Sequence, residues 1–575
     1  MVQKMTYFFR CSFAAISLTF STLAIAQQAN LSERDIFTPT IATHGMVVTG
    51  EEIAAQIGVE VLQKGGNAVD AAVTIGLVKA VTYPRAGNIG GGGFMLIYSA
   101  KTEEIVAIDY REKAPLKATR DMFLDEKGNI DSDLSLFSYQ SAGVPGTIAG
   151  MAMALEKYGT FSLAEALAPA IAIAEEGFII TRTSSDYIKK KEKRLKRYPT
   201  TAAIFFKPDG SFYEAGDRFV QNDLANTLKA IAKKGIKAFY EGEIADLIAR
   251  DMAAHGGLIT KADLANYQPV LRKPIHGTYR GYDIYSMSPP SSGGVHIVQI
   301  LNLLENYDMG LLGHNTAITI HLMAEAMKRA YADRSKYLGD TDFVTVPLTG
   351  LTSKAYAAAL SQQINRQKAS VSQDILPGKP THYESNETTH YSVVDKEGNA
   401  VSNTYTLNFS FGSGIVVKGA GFLLNNEMDD FSAKPGVANA YGLIGGTANA
   451  IEPHKRMLSA MSPTIVLKYG KPFLVTGSPG GSRIITATLQ VIMNVIDHKM
   501  NIQEAVNAVR IHHQWLPDEI RVEEGLSLDT IKLLTEMGHK VVVKEAMGAA
   551  ASILIDQKTL SGGNDPRRQG MALGY

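Results

Sequence analysis

The stretch TTHYSVVDKEGNAVSNTYTLN, Thr388 to Asn408, carries the plainest structural signal in the chain. Thr389 to Val394 is rich in β-branched and aromatic residues and reads as a strand. Lys396-Glu397-Gly398-Asn399 reads as a turn, and Ala400 to Leu407 as the returning strand. Pairing centred on Glu397 sets position 388 opposite position 406, so Thr388 and Thr406 become cross-strand neighbours. Asn408, two residues further on, projects to the same face. A slip of one residue would send every one of these side chains to the other face.

Immediately before the hairpin, residues 370–387 are polar and carry Pro377, Gly378 and Pro380, the least structured part of the sequence. A threonine hydroxyl is a weak nucleophile unless a base lies beside it. An N-terminal threonine supplies its own base, because a freed α-amine with a pKa of about 8 takes the hydroxyl proton. Thr388 can do this only if the chain is cut in front of it; without a cut, Thr388 to Ser392 is an ordinary β run. A second glycine-rich loop, Gly477-Ser478-Pro479-Gly480-Gly481-Ser482-Arg483, follows the apolar run Phe473 to Val475. Its backbone N–H groups could line an oxyanion hole, or it could be a plain Gly-Pro turn.

Helical and strand signals alternate, which points to an α/β or α+β protein. Thr49 to Gly66 reads as a helix with Thr49 and Glu52 as capping box and Gly65-Gly66 as stop. Ala68 to Ala80 reads as a buried helix, and Thr316 to Arg334 as another with one apolar side. Gly87-Asn88-Ile89-Gly90-Gly91-Gly92-Gly93 fits neither dinucleotide nor phosphate-loop spacing and reads as tight turns with close backbone packing. There is no H-E-x-x-H and no G-x-S-x-G. The adjacent pair His512-His513 would diverge on any regular element, so it reads as structural and no metal site is assigned.

With 57 basic and 57 acidic residues among 575, the formal charge is zero, unlike that of a general nucleic-acid binder. The longest basic run, KKKEKRLKR from Lys189 to Arg197, reads as a solvated helix face. Lys4 and Arg10, the apolar Ser12 to Leu23 and the Ala24-Ile25-Ala26 site read as a secretory signal cleaved after Ala26. No later stretch reads as a membrane anchor. The sole cysteine, Cys11, lies in that signal, so a mature chain has no disulfide and no thiolate chemistry.

GGNAVDAAV, GNIGGGGF, DYREKAP, GVPGT and PPSSGGVH, then the hairpin, LLNNEMDDFSAKPG, LSAMSPT and TGSPGGSRI, taken in order, resemble the γ-glutamyltranspeptidase family, its bacterial exported branch most closely. The resemblance runs from about Ile41 to Tyr575. It implies an α+β N-terminal-nucleophile hydrolase fold, a four-layer αββα sandwich cut by itself between Glu387 and Thr388. Residues 1–26 would be the signal, 27–387 the large subunit and 388–575 the small catalytic subunit, held together as a heterodimer in the periplasm or outside the cell.

By the same resemblance Thr388 is the nucleophile, Thr406 supports it, and Gly480 and Gly481 supply oxyanion-hole N–H groups. Arg111 and Ser459 would hold the donor's α-carboxylate, and Asn408, Glu427 and Asp430 its α-ammonium, with Tyr441 as a lid residue on the segment Pro435 to Lys455. Ala460 stands where the family carries a donor-contacting serine, Met457 where proline is common, and Glu427 where relatives carry glutamine or glutamate. Donors would be glutathione and other γ-glutamyl amides; acceptors would be water, amino acids or dipeptides. No organic cofactor is called for, since ester exchange needs no electron sink. The alternative on the same scaffold is an acylase for glutaryl or cephalosporin-type groups.

Denaturing electrophoresis with N-terminal sequencing should give two mature polypeptides, one starting at Gln27 and one at Thr388. Thr388→Ala should leave one uncut, inactive chain, whereas Thr388→Ser should keep some cutting and turnover. Cutting of the alanine variant at the same bond would show that another residue is the nucleophile.

Overall fold

The hairpin lies at the centre of a seven-stranded sheet, and the rest of the chain is arranged around it. In this computed structural model, residues 37–379 and 390–575 are described. The candidate signal and Thr388 itself lie outside the described residues. The strands of the two large sheets are, in chain order, β1 (Thr40–Ala42), β2 (Met46–Thr49), β3 (Gly92–Ser99), β4 (Glu104–Asp109), β5 (Val270–Arg272), β6 (Ile275–Tyr279), β7 (Tyr282–Ser286), β8 (His390–Val394) and β9 (Ala400–Thr406). They continue as β10 (Thr464–Lys468), β11 (Lys471–Thr476), β12 (Ala551–Asp556), β13 (Thr559–Asn564) and β14 (Met571–Gly574). The first sheet runs β14-β2-β8-β9-β3-β4-β5 and the second β1-β13-β12-β11-β10-β7-β6, with antiparallel neighbours throughout.

The β8–β9 register is His390 opposite Thr404, Tyr391 opposite Asn403 and Val394 opposite Ala400, which centres on Glu397 as the turn chemistry requires. Thr406 pairs on its other side with Gly92 of β3. The alternation of side chains then builds the layers. Val48, Phe94, Leu96, Val394, Ile465, Val475 and Ile553 fill the space between the sheets. Their sequence neighbours Val47, Met95, Ile97, Val393 and Val401 face the opposite way, onto α1 (Glu52–Gln63) and α2 (Ala68–Thr82). Val466 and Leu474 of the second sheet face α3 (Ser292–Leu304), α4 (Ala317–Tyr337) and α5 (Ile484–Ile496). The result is helix, sheet, sheet, helix within the compact unit Pro39–Tyr575.

A polar seam joins the two sheets beneath the start of β8. Ser392 Oγ donates to Ala551 O at 2.9 Å and Ser402 Oγ to Thr476 O at 3.0 Å. His390 reaches Thr404 Oγ1 at 3.1 Å and Ser392 Oγ at 3.0 Å. Each is fully buried, so each needs its partner.

Two local expectations change. Thr49 ends β2, and the cap of α1 is Glu51, whose carboxylate accepts from Ile53 N at 3.0 Å and Ala54 N at 2.8 Å. A carboxylate at a helix start also answers the helix dipole, which a Thr49 cap would not. The basic run is not one solvated face. Its helices break at Lys191, and Arg194 turns inward to donate to Ser410 O at 2.8 Å and Gly412 O at 3.1 Å. The Gly65-Gly66 stop is as expected: Gly65 takes φ +95° and Gly66 N donates to Val61 O at 3.0 Å.

The glycine run pays for its close approach to the hairpin in side-chain volume. A Cβ on Gly91 would fall 1.8 Å from Thr406 O, and one on Gly93 2.4 Å from Thr404 O. Gly91→Ala should therefore displace the end of β9 and destabilise the fold by roughly 1–3 kcal/mol, with loss of matured product. Gly65→Ala, where no atom lies within 4 Å, should cost only about 1–2 kcal/mol of left-handed backbone strain and still mature. Denaturant titration and fragment yield of the two variants check this.

Candidate active site

Strand ends bring the expected residues to one rim of the first sheet. Thr406 ends β9, Gly92 begins β3, and Arg111 follows β4 by two residues. Thr406 Oγ1 accepts the Asn408 N–H at 2.7 Å, which leaves its own O–H to donate elsewhere. Asn408 takes φ +72°, a left-handed conformation that asparagine tolerates, and its Nδ2 donates to Asn426 O at 2.9 Å. Its Oδ1 is buried with no hydrogen-bond partner among the described residues.

Arg111 is wholly buried, and its guanidinium fork is held by acids. Nη1 lies 2.7 Å from Glu427 Oε2, and Nη2 lies 2.6 Å from Asp430 Oδ2. Glu427 and Asp430 share the single turn Glu427–Asp430, so one turn presents two carboxylates to one guanidinium. Glu112 is a third, at 3.5 Å from Nη1. Burial pushes the carboxyls of Asp430 and Glu112 above the usual range, with Arg111 pulling the other way. The carboxylates hold Arg111 firmly protonated despite its burial. Arg111 Nε also contacts Met457 O at 3.4 Å, a carbonyl that a proline would equally supply.

Ser459 is fully buried and adjoins Ser291 through a parallel bridge; its Oγ has no hydrogen-bond partner among the described residues. Ala460 is also fully buried, its methyl packed in the apolar core and its carbonyl accepting Ser462 Oγ at 2.8 Å. Gly480 and Gly481 take φ +139° and +63°, which turns the loop sharply at the head of α5. Tyr441 lies against that loop, since a Cβ on Gly481 would be 2.7 Å from its ring. The Tyr441 ring stacks on Phe409 at 4.7 Å, and its O–H donates to Asn408 O at 3.1 Å. All ten expected residues other than Thr388 are therefore described. Thr406, Asn408, Tyr441 and Gly481 form one connected wall, and Arg111, Glu427 and Asp430 a second group.

Sequence reasoning missed several parts. Gln514 joins the lid to the glycine loop: its Nε2 donates to Gly442 O at 3.0 Å, and its Oε1 accepts Ser482 Oγ at 2.8 Å. His512 supports it, with Nε2 2.9 Å from Gln514 Oε1 and Nδ1 2.9 Å from Thr486 Oγ1. The two adjacent histidines do diverge, for His513 turns to Asp518 at 3.2 Å. Asp429, between the two clamp acids, is buried beside the lid and pushed up to about 7 by burial. No periodicity marks these residues. A further trio, His321, Glu325 and His539, has ligand-type atoms within 4.8 Å of one another. The i,i+4 spacing of His321 and Glu325 was its only signal. Glu325 is engaged by Lys328, Arg329 and Ser370, and His321 Nδ1 by His539 Nε2 at 2.7 Å, so the donor atoms are already committed.

Residues 54–575 match the profile of the family described as gamma-glutamyltranspeptidase. The glutathione hydrolase proenzyme of Escherichia coli (strain K12) is 55% identical over 571 residues, covering 98% of each chain. The glutathione hydrolase proenzyme of Pseudomonas sp. (strain A14) is 50% identical, over 93% of this chain and 95% of that one. Among solved structures, the cephalosporin acylase from Bacillus halodurans superposes with a TM-score of 0.84 at 30% identity, over 96% of this chain and 98% of that one.

Burial lowers the His512 imidazole to about 3, so it stays neutral in the folded protein. Unfolded, the same ring binds a proton near pH 6.5. The stability it contributes is present above pH 6.5 and is lost as pH falls from there toward 3. His512→Gln should accordingly flatten the acid side of the stability profile by up to one proton, about 1.4 kcal/mol per pH unit. Urea titrations of both proteins between pH 5 and pH 7 measure the difference.

Proposed function

The chain belongs to the γ-glutamyltranspeptidase family, and we propose that Thr388, freed by autocatalytic cleavage, is the nucleophile through which it moves γ-glutamyl groups. The protein is a proenzyme of the N-terminal-nucleophile class that matures to two subunits, transferring γ-glutamyl from glutathione and related amides to water or to amino acid and dipeptide acceptors. Among the described residues no helix is long and apolar enough to cross a membrane. The Ala24-Ile25-Ala26 site supports export of the mature chain.

The single observation that carries the role of Thr388 is the hairpin register. Extended by two residues, that register would set position 388 opposite Thr406, whose Oγ1 accepts from Asn408 N and so keeps its O–H as a donor. The α-amine of Thr388 takes the proton from its Oγ as Oγ bonds to the γ-carbonyl carbon. The carbonyl oxygen becomes an oxyanion facing Gly480 and Gly481, each such donor being worth about 2.7–4 kcal/mol. Collapse breaks the C–N bond, and the ammonium returns its proton to the leaving amine. Water or an acceptor amine then attacks the γ-glutamyl ester by the same steps in reverse. His390, two residues from Thr388, is buried and lowered to about 3, so it does not titrate as the base near neutral pH.

The donor's α-end is recognised by exchange. A buried guanidinium with two buried carboxylates is already satisfied in the donor-free site. A γ-glutamyl group brings one carboxylate and one ammonium. Its carboxylate can take a share of Arg111 and the buried Ser459 hydroxyl. Its ammonium then neutralises the carboxylates that Arg111 releases, with Asn408 Oδ1 as a further acceptor. No charge is left alone, and leaving one alone costs several kcal/mol. A glutaryl donor keeps the carboxylate but lacks the ammonium, so it would strand Asp430 and Glu427. That favours the γ-glutamyl reading over the glutaryl acylase reading.

Purified, matured protein should hydrolyse γ-glutamyl-p-nitroanilide far better than its glutaryl analogue. Asp430→Ala should raise KM for the γ-glutamyl donor about 100-fold, the equivalent of roughly 2.7 kcal/mol, and change the glutaryl value little. Equal changes for the two donors would show that Asp430 does not read the α-ammonium.

A further inference from the structure

One side-chain amide stands between the lid and the glycine loop, and its surroundings fix which way it points. Gln514 Nε2 has three carbonyl oxygens around it, Gly442 O at 3.0 Å and Tyr441 O and Leu516 O, each at 3.4 Å. A carbonyl only accepts, so the two amide N–H bonds face them and the amide oxygen faces away. On that side Oε1 meets Ser482 Oγ at 2.8 Å and His512 Nε2 at 2.9 Å, and both must donate to it. His512 therefore carries its proton on Nε2. Its ring is kept neutral by burial, so Nδ1 accepts from the Thr486 hydroxyl at 2.9 Å, a closer partner for that hydroxyl than Arg483 O at 3.1 Å. The donors thus run in one order, from Thr486 on α5 through His512 to Gln514, and from Gln514 to the lid.

Both sides of this joint are shaped for close approach. Gly442 takes φ +78°, and a Cβ there would lie 3.0 Å from Gln514 Nε2. A Cβ on Gly481 would lie 2.7 Å from the Tyr441 ring. Ser482, directly after Gly481, is fully buried and held twice. Its carbonyl accepts the Tyr331 O–H from α4 at 2.6 Å, and its hydroxyl is the group that Gln514 holds. The peptide units at Gly480 and Gly481 are therefore oriented in part by an amide whose other half is bonded to the lid. With the lid lifted, Gln514 Nε2 would keep only Leu516 O, its longer contact. The amide could then turn, and the Ser482 hydroxyl would lose a fixed acceptor.

We propose that Gln514 is a positioning residue that couples the lid to the glycine loop, so that the loop is held in its working conformation only while the lid is seated. Enclosure of the donor and stabilisation of the oxyanion are then one event. This rests on the reading of Gly480 and Gly481 as oxyanion donors in γ-glutamyl transfer. Such coupling is reciprocal: whatever loosens the loop also loosens the lid.

The test is steady-state hydrolysis of γ-glutamyl-p-nitroanilide, with rates referred to the amount of the fragment that begins at Thr388. A merely structural role would lower the yield of that fragment and leave KM and kcat per fragment unchanged. Gln514→Glu keeps an acceptor for Ser482 and His512 but sets a carboxylate oxygen against three carbonyls, so KM should rise about tenfold. Ser482→Ala should lower kcat about tenfold. Gln514→Ala should do both, and adding Ser482→Ala to it should lower kcat by less than about twofold more, because the shared contact is already gone. Gly442→Ala crowds Gln514 from the lid side, and it should lower kcat by about threefold or more although it lies outside the loop. It carries the test if Gln514→Ala does not mature. Fully additive losses in the double variant overturn the coupling. So does a kcat within about twofold of wild type for Gln514→Ala or, where that variant does not mature, for Gly442→Ala. No hydrolysis by the wild-type protein would instead overturn the γ-glutamyl reading itself.

Discussion

The register of β8 against β9 is the constraint on which the rest of the molecule depends. A strand has two faces, and a shift by one residue exchanges them. Here one face of β8 carries Ser392 and Val394 into the seam between the sheets, and the other carries Tyr391 and Val393 onto α2. Tyr391 donates to Ala72 O at 2.7 Å, a bond that only this register permits. The same register fixes Thr406 against Gly92 and so fixes the glycine run, which fits because it has no side chains to collide with Thr406 O. Chemistry placed at the start of β8 therefore inherits its position from core packing on both faces, not from a loop.

The polar groups at this rim are unusual for so dry a place. Hydroxyls and an imidazole between two sheets would each cost free energy if unpaired, and they hold one another. The clamp follows the same rule with full charges. Replacing Arg111, Glu427 and Asp430 by apolar residues could well make a more stable protein, since a buried ion group is weak evidence for stability. In the recognition role proposed for it, the group is complementary to a zwitterion because it is itself built of separable opposite charges.

Much of this was legible in the sequence, and what was not has physical reasons. The hairpin centre could be read because a Lys-Glu-Gly-Asn turn leaves few registers, and Gly398 takes φ +87° there. The buried helix over residues 68–82 could be read because its sequence is apolar on all sides. Thr49 looked like a cap because Ser and Thr are common caps; the strand claimed it, and Glu51 took over with a longer side chain. Arg194 looked solvated because charge runs usually are, yet carbonyls of a distant loop turned it inward. The pairing of Arg111 with Glu427 and Asp430 joins residues over 300 positions apart, and no local pattern encodes such a contact. Gln514, which ties the lid to the glycine loop, is likewise a long-range contact by a residue of common type.

Sheet order gives the site its direction. The hairpin is central, so β8 has neighbours on both sides, β2 and β14 on one and β9, β3 and β4 on the other. Each neighbour ends or begins at the same rim and contributes a loop there. On the β4 flank three carboxylates surround one guanidinium. On the β2 flank the Glu51 carboxylate is bound by Ile53 N, Ala54 N and Thr82 Oγ1. A site on an edge strand would have neighbours on one side only. The central position of the hairpin, fixed by packing, thus lets loops from both of its sides meet at one rim.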